Sequence, residues 1–185
     1  MRGSFGQFGK WKRFAVLLVA PLLWCAAPQR EADKDTNAIV QASYIYNIAK
    51  LVEWSDPSMR NGTFIIGVIG GSNLYQELIK KYSTKTIGMQ PIEVRKLPHS
   101  AVIDRCNILF VGKGELDLMQ EIYKNMAGKN TLIATEYPGA LEDGATVNFL
   151  SVENTRLYEM SLVNARKAKL EIGSTLKQLA HRVVE

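Results

Sequence analysis

Three continuous apolar runs of strand length, separated by segments with helical spacing, constrain the fold more than any other feature of the sequence. The runs are TFIIGVIGG (63–71), NILFVG (107–112) and TLIATE (131–136). They are rich in β-branched residues and lack alternation, which is typical of strands covered on both faces in a parallel sheet. The intervening apolar residues at helical spacing are Leu74, Leu78, Ile79 and Tyr82, then Met119, Ile122, Tyr123 and Met126. This alternation predicts an α/β, Rossmann-like domain with a mostly parallel sheet and helices on both faces.

The C-terminal part has a different pattern. TVNFLSVENTRLYEMSLV (146–163) predicts two antiparallel strands with a turn near Glu153, Asn154 and Thr155. Ser174 or Thr175 is expected to cap a last helix. Its apolar face would consist of Leu176, Leu179, Ala180 and Val183. IEVRKL (92–97) alternates and carries charge, as an edge strand would.

The segment YIYNIAKLVEW (44–54) predicts a helix near the start of the domain. Thr36 or Asn37 would cap its N-terminus, and Asp56-Pro57 would end it. Polar residues interrupt its apolar face, which argues against a membrane-spanning helix. These are Asn47, Lys50 and Glu53.

The N-terminal region has the three parts of an export signal. A basic stretch ends at Arg13, an apolar run covers 14–24, and small residues follow. We therefore expect a signal peptide over 1–27, a linker over 28–36, a single domain over 37–185 and a periplasmic location. Cys25 raises the alternative of a lipid anchor, but Trp24 before it disfavours that reading.

The charge distribution argues against nucleic acid as a partner. The formal net charge is +5, but four of the basic residues lie in the first thirteen positions, where there is no acid. Without them the chain has 19 basic and 18 acidic residues. A nucleic-acid interface needs clustered Lys and Arg, and the short positive group RKAK (166–169) is interpreted as a solvated helix face.

The best candidate for a ligand site lies at the loops that follow two predicted strands. If the strand order is 2-1-3-4, the residues Gly70, Gly71, Ser72 and Asn73 face Lys113 across the crevice where the order reverses. Free amides at a helix start and a lysine opposite them suit an anionic group. The competing interpretation is that the glycines serve only a tight turn.

The sequence offers little for catalysis. His99 and His181 lack metal-ligand spacing, and no nucleophile or phosphate-loop motif is present. Cys106 begins an apolar strand and is expected to be a small buried side chain. We therefore expect a protein that is not an enzyme and that uses no cofactor or metal.

A series of blocks resembles the YfiR-like family of exported bacterial signalling regulators. The blocks, in order, are ASYIYNIAKLVEW, GVIG, PIEVRKL, CNILFVG, GATVNFL and LYEMSLVNARKAKLEIGSTLKQLA. Asn107 departs from the family, in which a histidine often follows the cysteine. The extra cysteines that form disulfides in the family's namesake are also missing, so we expect no internal disulfide.

The resemblance implies a periplasmic regulator without enzyme activity that acts by protein contact. The partner would be the periplasmic part of an inner-membrane diguanylate cyclase or sensor kinase, within cyclic-di-GMP signalling in the first case. An outer-membrane lipoprotein is a second implied partner, and a homodimer is left open. The candidate contact residues are Tyr44, Glu53, Trp54, Phe149 and Leu157. A small-molecule or anion sensor using the crevice is the alternative function.

Overall fold

The computed structural model describes residues 35–185. The expected signal peptide (1–27), most of the expected linker (28–36) and Cys25 lie outside the described residues. The helices are α1 (Thr36–Leu51), α2 (Ser72–Tyr82), α3 (Met119–Met126), α4 (Ala140–Asp143), α5 (Leu162–Lys167) and α6 (Ser174–Leu179). The strands are β1 (Val52–Trp54), β2 (Phe64–Ile69), β3 (Thr86–Ile87), β4 (Gln90–Leu97), β5 (Ile108–Val111), β6 (Leu132–Thr135), β7 (Val147–Val152), β8 (Thr155–Ser161), β9 (Leu170–Ile172) and β10 (Arg182–Val184). Two short 3-10 helices, Pro57–Arg60 and Lys113–Leu118, lie between these elements.

Eight strands form one sheet in the order β10-β8-β7-β6-β5-β2-β4-β3. The five central strands β4, β2, β5, β6 and β7 are parallel to one another. The expected order 2-1-3-4 corresponds to β4-β2-β5-β6, and it is confirmed. The antiparallel pair β7–β8 follows at the C-terminal side. The fold is therefore α/β with a mostly parallel sheet and a C-terminal hairpin, as predicted.

Both faces of the sheet are buried, which explains the continuous apolar runs. Along β2, Phe64, Ile66 and Val68 pack into the cluster that includes α1 and α2 residues. Ile65 and Ile69 point the other way and pack in the cluster that includes α3 residues. Because successive side chains of a strand point to opposite faces, a strand covered by helices on both sides must be apolar at every position.

The β7–β8 hairpin has the short turn that the sequence predicts. Val152 pairs with Thr155, so that the loop consists of Glu153 and Asn154. Both loop residues have positive φ, 47° and 63°. Two successive left-handed residues match the twist of the flanking antiparallel strands.

Helix α1 differs from the prediction at both ends. Its cap is Asp35, whose Oδ1 accepts a hydrogen bond from the Ala38 N–H at 3.0 Å, and neither Thr36 nor Asn37 caps it. It ends at Leu51, before the predicted stop at Asp56-Pro57, because the next residues pair antiparallel with β9. No helix within the described part of the chain is long and apolar enough to cross a membrane.

The prediction for the C-terminal helix was also wrong at both ends. Gly173 precedes it without a side-chain cap, so neither Ser174 nor Thr175 caps it. The helix stops at Leu179, and the strand that contains Val183 joins the sheet parallel to β8. The open edge of β8 offers backbone hydrogen bonds to these last residues, and this outweighs their helical spacing. The predicted edge strand, β4, has only the two-residue β3 beyond it.

Candidate functional site

Two of the candidate contact residues, Tyr44 and Phe149, lie in an aromatic cluster between α1 and the hairpin. Tyr44 is half-buried, and its hydroxyl donates a hydrogen bond to the backbone oxygen of Arg156 at 3.2 Å. Its ring packs against Tyr158 in an edge-to-face geometry, with centroids 5.2 Å apart, and stacks on Phe149 at 6.2 Å. Phe149 is 2% exposed. In this conformation the cluster attaches α1 to the sheet.

Trp54 and Leu157 also pack against the domain, to different degrees. Trp54 is 4% exposed and meets Phe64 edge to face, with centroids 5.1 Å apart. Its indole Nε1 is buried without a hydrogen-bond partner among the described residues. Leu157, opposite Leu150 in the hairpin, is half-buried. Neither side chain is as accessible as that of Glu53, which is exposed on β1.

The strands β1 and β9 form a two-stranded ribbon, here called the acidic ribbon, that places two glutamates directly opposite each other. Glu53 pairs with Glu171 in the antiparallel register, and both are exposed. Across residues 35–185 neither carboxylate has an ion-pair or hydrogen-bond partner. Like charges directly opposite each other in a ribbon are destabilising. A basic group from another molecule would remove this repulsion.

A buried asparagine helps to attach the ribbon to the rest of the domain, beside the core packing of Trp54 and Leu170. Asn130 Oδ1 accepts a hydrogen bond from the Asp56 N–H at 3.1 Å. Its Nδ2 donates to the backbone oxygens of Ala168 and Lys169 at 2.9 and 2.6 Å. One amide group thereby binds the chain just after β1 and just before β9, so the position of Glu53 is fixed by buried contacts.

The predicted crevice forms a cleft of about 360 Å³, here called the switch-point cleft, at the carboxyl ends of β2 and β5. Gly71, Ser72, Asn73 and Lys113 line it, and Gly70 lies just before them. Gly71 has φ 53°, in the left-handed region. The requirement for glycine at this position is therefore explained by the turn. Ser72, Asn73 and Lys113 are exposed.

The opposite wall of the cleft contains charged residues that the sequence did not single out. Arg156 and Glu136 form an ion pair, and their side chains are 11% and 18% exposed. Glu136 Oε2 also accepts a hydrogen bond from Gln41 Nε2 at 2.8 Å. Arg156 Nε is buried, and none of residues 35–185 offers it a hydrogen-bond partner. Glu136 directly follows β6, so it could have been predicted at the cleft in the same way as Lys113, from its position after a parallel strand. Nothing in the local sequence around Arg156 indicates that it reaches the cleft.

The rim of the cleft contains an aspartate that already accepts hydrogen bonds and a lysine that has no ion-pair partner among residues 35–185. Asp35 Oδ2 accepts a hydrogen bond from Asn73 Nδ2 at 2.7 Å. This contact and the Ala38 N–H lower the pKa of Asp35 below its ordinary value. Lys113 has no ion-pair partner among residues 35–185. Helix α2 begins at Ser72, and Gly71 before it provides no side-chain cap, so the first amides of the helix and Lys113 together favour negative charge.

Metal binding and thiol chemistry have no support among the described residues. None of their His, Cys, Asp and Glu residues form a group of three or more that could hold a metal ion. Cys106 is buried, and burial raises its pKa to about 12, so the thiol is protonated and a poor nucleophile.

The fold and these sites define a Rossmann-like α/β domain with a polar cleft and an exposed acidic ribbon. The chain belongs to the YfiR/HmsC-like family (DUF4154), whose model matches residues 38–181, and this confirms the resemblance seen in the sequence. That family is a regulatory one. No curated protein is similar enough to count as a relative.

Solved structures support the fold. One of them is described as the ABC domain in complex with L-Trp from Streptococcus pneumonia. It superposes with a TM-score of 0.53 at 10% sequence identity, and the match covers 80% of this chain. This chain spans 60% of the length of that one. At this identity the likeness supports the α/β architecture alone.

Proposed function

We propose that this protein is a periplasmic, non-enzymatic regulator that controls a membrane signalling enzyme by direct contact. The observation that carries the proposal is membership of the YfiR/HmsC-like family over residues 38–181. The enzyme would be an inner-membrane diguanylate cyclase or sensor kinase, contacted through its periplasmic part. An outer-membrane lipoprotein that sequesters the regulator belongs to the same proposal.

The acidic ribbon is the contact surface that this proposal favours. Glu53 and Glu171 are exposed, opposite each other and without a described cation. A lysine or arginine of the partner would replace the repulsion between them with a charge-assisted hydrogen bond. Tyr44, Trp54 and Phe149 then contribute by holding the helix end and the hairpin in place, because their rings pack against the domain.

The test is affinity capture from detergent-solubilised membranes of the native host, with the full chain carrying a C-terminal tag. Glu53→Ala is compared with the wild type. The matched control is Glu121→Ala, since Glu121 is exposed on α3 and has no ion-pair partner in residues 35–185. We expect the wild type and Glu121→Ala to retain the same membrane cyclase or kinase, and Glu53→Ala to lose most of it. Equal recovery of that enzyme by all three proteins would remove the ribbon from the proposal. Recovery of no membrane signalling enzyme by the wild type would count against the function itself.

A second candidate function is a sensor of small anions, and the switch-point cleft supports it. Lys113 has no described partner, and the uncapped start of α2 lies beside it. A carboxylate or phosphate group between them would gain hydrogen bonds from backbone amides and a charge contact. The Arg156–Glu136 pair on the opposite wall would contact the remainder of the ligand.

Amide chemical-shift titration with inorganic phosphate and with acetate tests this second candidate. Saturable shifts at Gly71, Ser72 and Asn73 that disappear in Lys113→Gln would support it. The control is Lys129→Gln, which removes an exposed lysine outside the cleft. Shifts that stay linear up to high concentration, or that are equal in both variants, would contradict it.

A further inference from the structure

A single histidine bridges two carboxylates beside the switch-point cleft. His99 belongs to the connection between β4 and β5, and Glu115 and Asp117 belong to the 3-10 helix that follows β5. The Nδ1 atom of His99 contacts a Glu115 carboxylate oxygen. The Nε2 atom lies 3.1 Å from Asp117 Oδ2. Each ring nitrogen of His99 thus faces one carboxylate, and both carboxylates belong to a different connection of the chain from the histidine.

The protonation state of the ring decides whether both contacts exist. A neutral imidazole has one N–H and one lone pair, so it donates to one carboxylate and presents a lone pair to the other. The imidazolium ion donates from both nitrogens. Within the described residues Glu115 and Asp117 are the charged groups that face His99. The hydrogen bond that His99 donates to the Glu115 carboxylate is the main cause that raises the pKa of His99, and the charge of Asp117 adds to it.

Glu115 also joins the histidine to a third connection of the chain. A Cβ atom on Gly70 would lie 2.9 Å from Glu115 Cγ, so the Glu115 side chain packs directly on the backbone of the β2–α2 turn. The Glu115 N–H donates to the Gly112 backbone oxygen at 3.0 Å. The connections after β2, β4 and β5 therefore meet at Glu115, and Lys113 of the cleft lies two residues away.

We propose that His99, Glu115 and Asp117 form a pH-sensitive clasp that ties the β4–β5 connection to the wall of the switch-point cleft. The pKa of His99 is higher in the folded protein. The clasp therefore stabilises the contact between the β4–β5 connection and the 3-10 helix fully at acidic pH. This stabilisation is lost as pH rises through the folded pKa. One contact then disappears, and residues 99–105, which include the exposed Val102, move more freely. The clasp does not depend on the identity of any partner or ligand.

The first test is a titration of the histidine ring protons by NMR in the tagged full-length protein. The chain has two histidines, and His181→Gln assigns the His99 resonance. We expect His99 to titrate above the ordinary value of about 6.5. Glu115→Gln and Asp117→Asn should each lower its pKa, because each removes one negative charge. A His99 that titrates at or below the ordinary value, or that is unaffected by both substitutions, would overturn the clasp.

The second test is hydrogen exchange of the amides of residues 99–105, corrected for the intrinsic effect of pH. At pH 6 we expect exchange in His99→Gln to be about two- to five-fold faster than in the wild type, as for the loss of an exposed ion pair. At pH 9 the difference between the two proteins should be smaller than at pH 6, because the neutral ring keeps only one of its two contacts. His181→Gln is the matched control and should behave as the wild type. Equal exchange of wild type and His99→Gln at pH 6 would contradict the proposal.

Discussion

Replacing Glu53 with lysine should stabilise the folded protein while it removes the proposed contact. In the wild type Glu53 faces Glu171 across the acidic ribbon, and both side chains are exposed. Glu53→Lys converts a like-charge pair into an opposite-charge pair. Directly opposed pairs are worth about 0.2 to 1 kcal/mol, and solvent screens exposed ones. We therefore expect a gain of about 0.5 to 1 kcal/mol in the free energy of unfolding.

Thermal unfolding followed by circular dichroism measures this gain. For a chain of this size it corresponds to an increase of about 1 to 4 °C in Tm. Glu171→Lys should have a similar effect. The double variant places two lysines opposite each other, so it should lose the gain of either single substitution.

The double-mutant cycle also tests whether Glu53 and Glu171 repel each other. Additive effects of Glu53→Lys and Glu171→Lys would mean that the two side chains do not interact across the ribbon. A fall in Tm for Glu53→Lys alone would mean that the carboxylate has a favourable partner within the chain. Either result would remove the physical reason for expecting a basic partner at this position.

Two further predictions concern the core. Asn107→Ala should lower the free energy of unfolding by about 1 to 3 kcal/mol in a denaturant titration, because it removes the partner of the Ile65 N–H, now bound at 3.0 Å, and one of the hydrogen bonds to the Met59 backbone oxygen, which Gln90 also contacts; a loss below about 0.5 kcal/mol would contradict the burial of the Ile65 N–H. In a Cys25→Ser chain, Cys106 should not react with a thiol reagent at pH 8 until the protein is unfolded, because burial raises its pKa to about 12; stoichiometric labelling of the folded protein would show that the strand is accessible.

The central sheet was predictable because its strands carry their own signal. Continuous apolar runs identify β2, β5 and β6, and the apolar residues at helical spacing between them identify α2 and α3. Two strand-like segments with a turn near Glu153 and Asn154 predict the hairpin, and in the structure both of these residues have positive φ. The strand order 2-1-3-4 is a common one for doubly wound sheets, and the structure has it.

The short elements were not predictable, because their conformation depends on residues far away in the sequence. Val52–Trp54 continues the helical spacing of α1, yet it pairs with Leu170–Ile172. Arg182–Val184 likewise becomes a strand only because β8 offers an open edge. Pairings of this kind join segments that are far apart in the sequence, and the local residue pattern does not predict them.

The candidate sites divide in the same way. Gly71, Asn73 and Lys113 follow strand ends, and their position at the cleft could be derived from the topology. Arg156 reaches the cleft from the hairpin, and Asp35 reaches it from the start of α1. The opposition of Glu53 and Glu171 also arises from tertiary pairing, so the sequence indicated an unusual carboxylate without indicating its neighbour.

Site-specific photocrosslinking in the living host tests the central claim most directly. A photoreactive amino acid is placed at Glu53 and, as the matched exposed control, at Glu121, and the crosslinked proteins are identified by mass spectrometry. We expect a crosslink from position 53 to the periplasmic part of a membrane cyclase or sensor kinase, and none from position 121. If the protein is exported and folded but gives no crosslink to any membrane signalling enzyme from position 53, the proposed contact is contradicted.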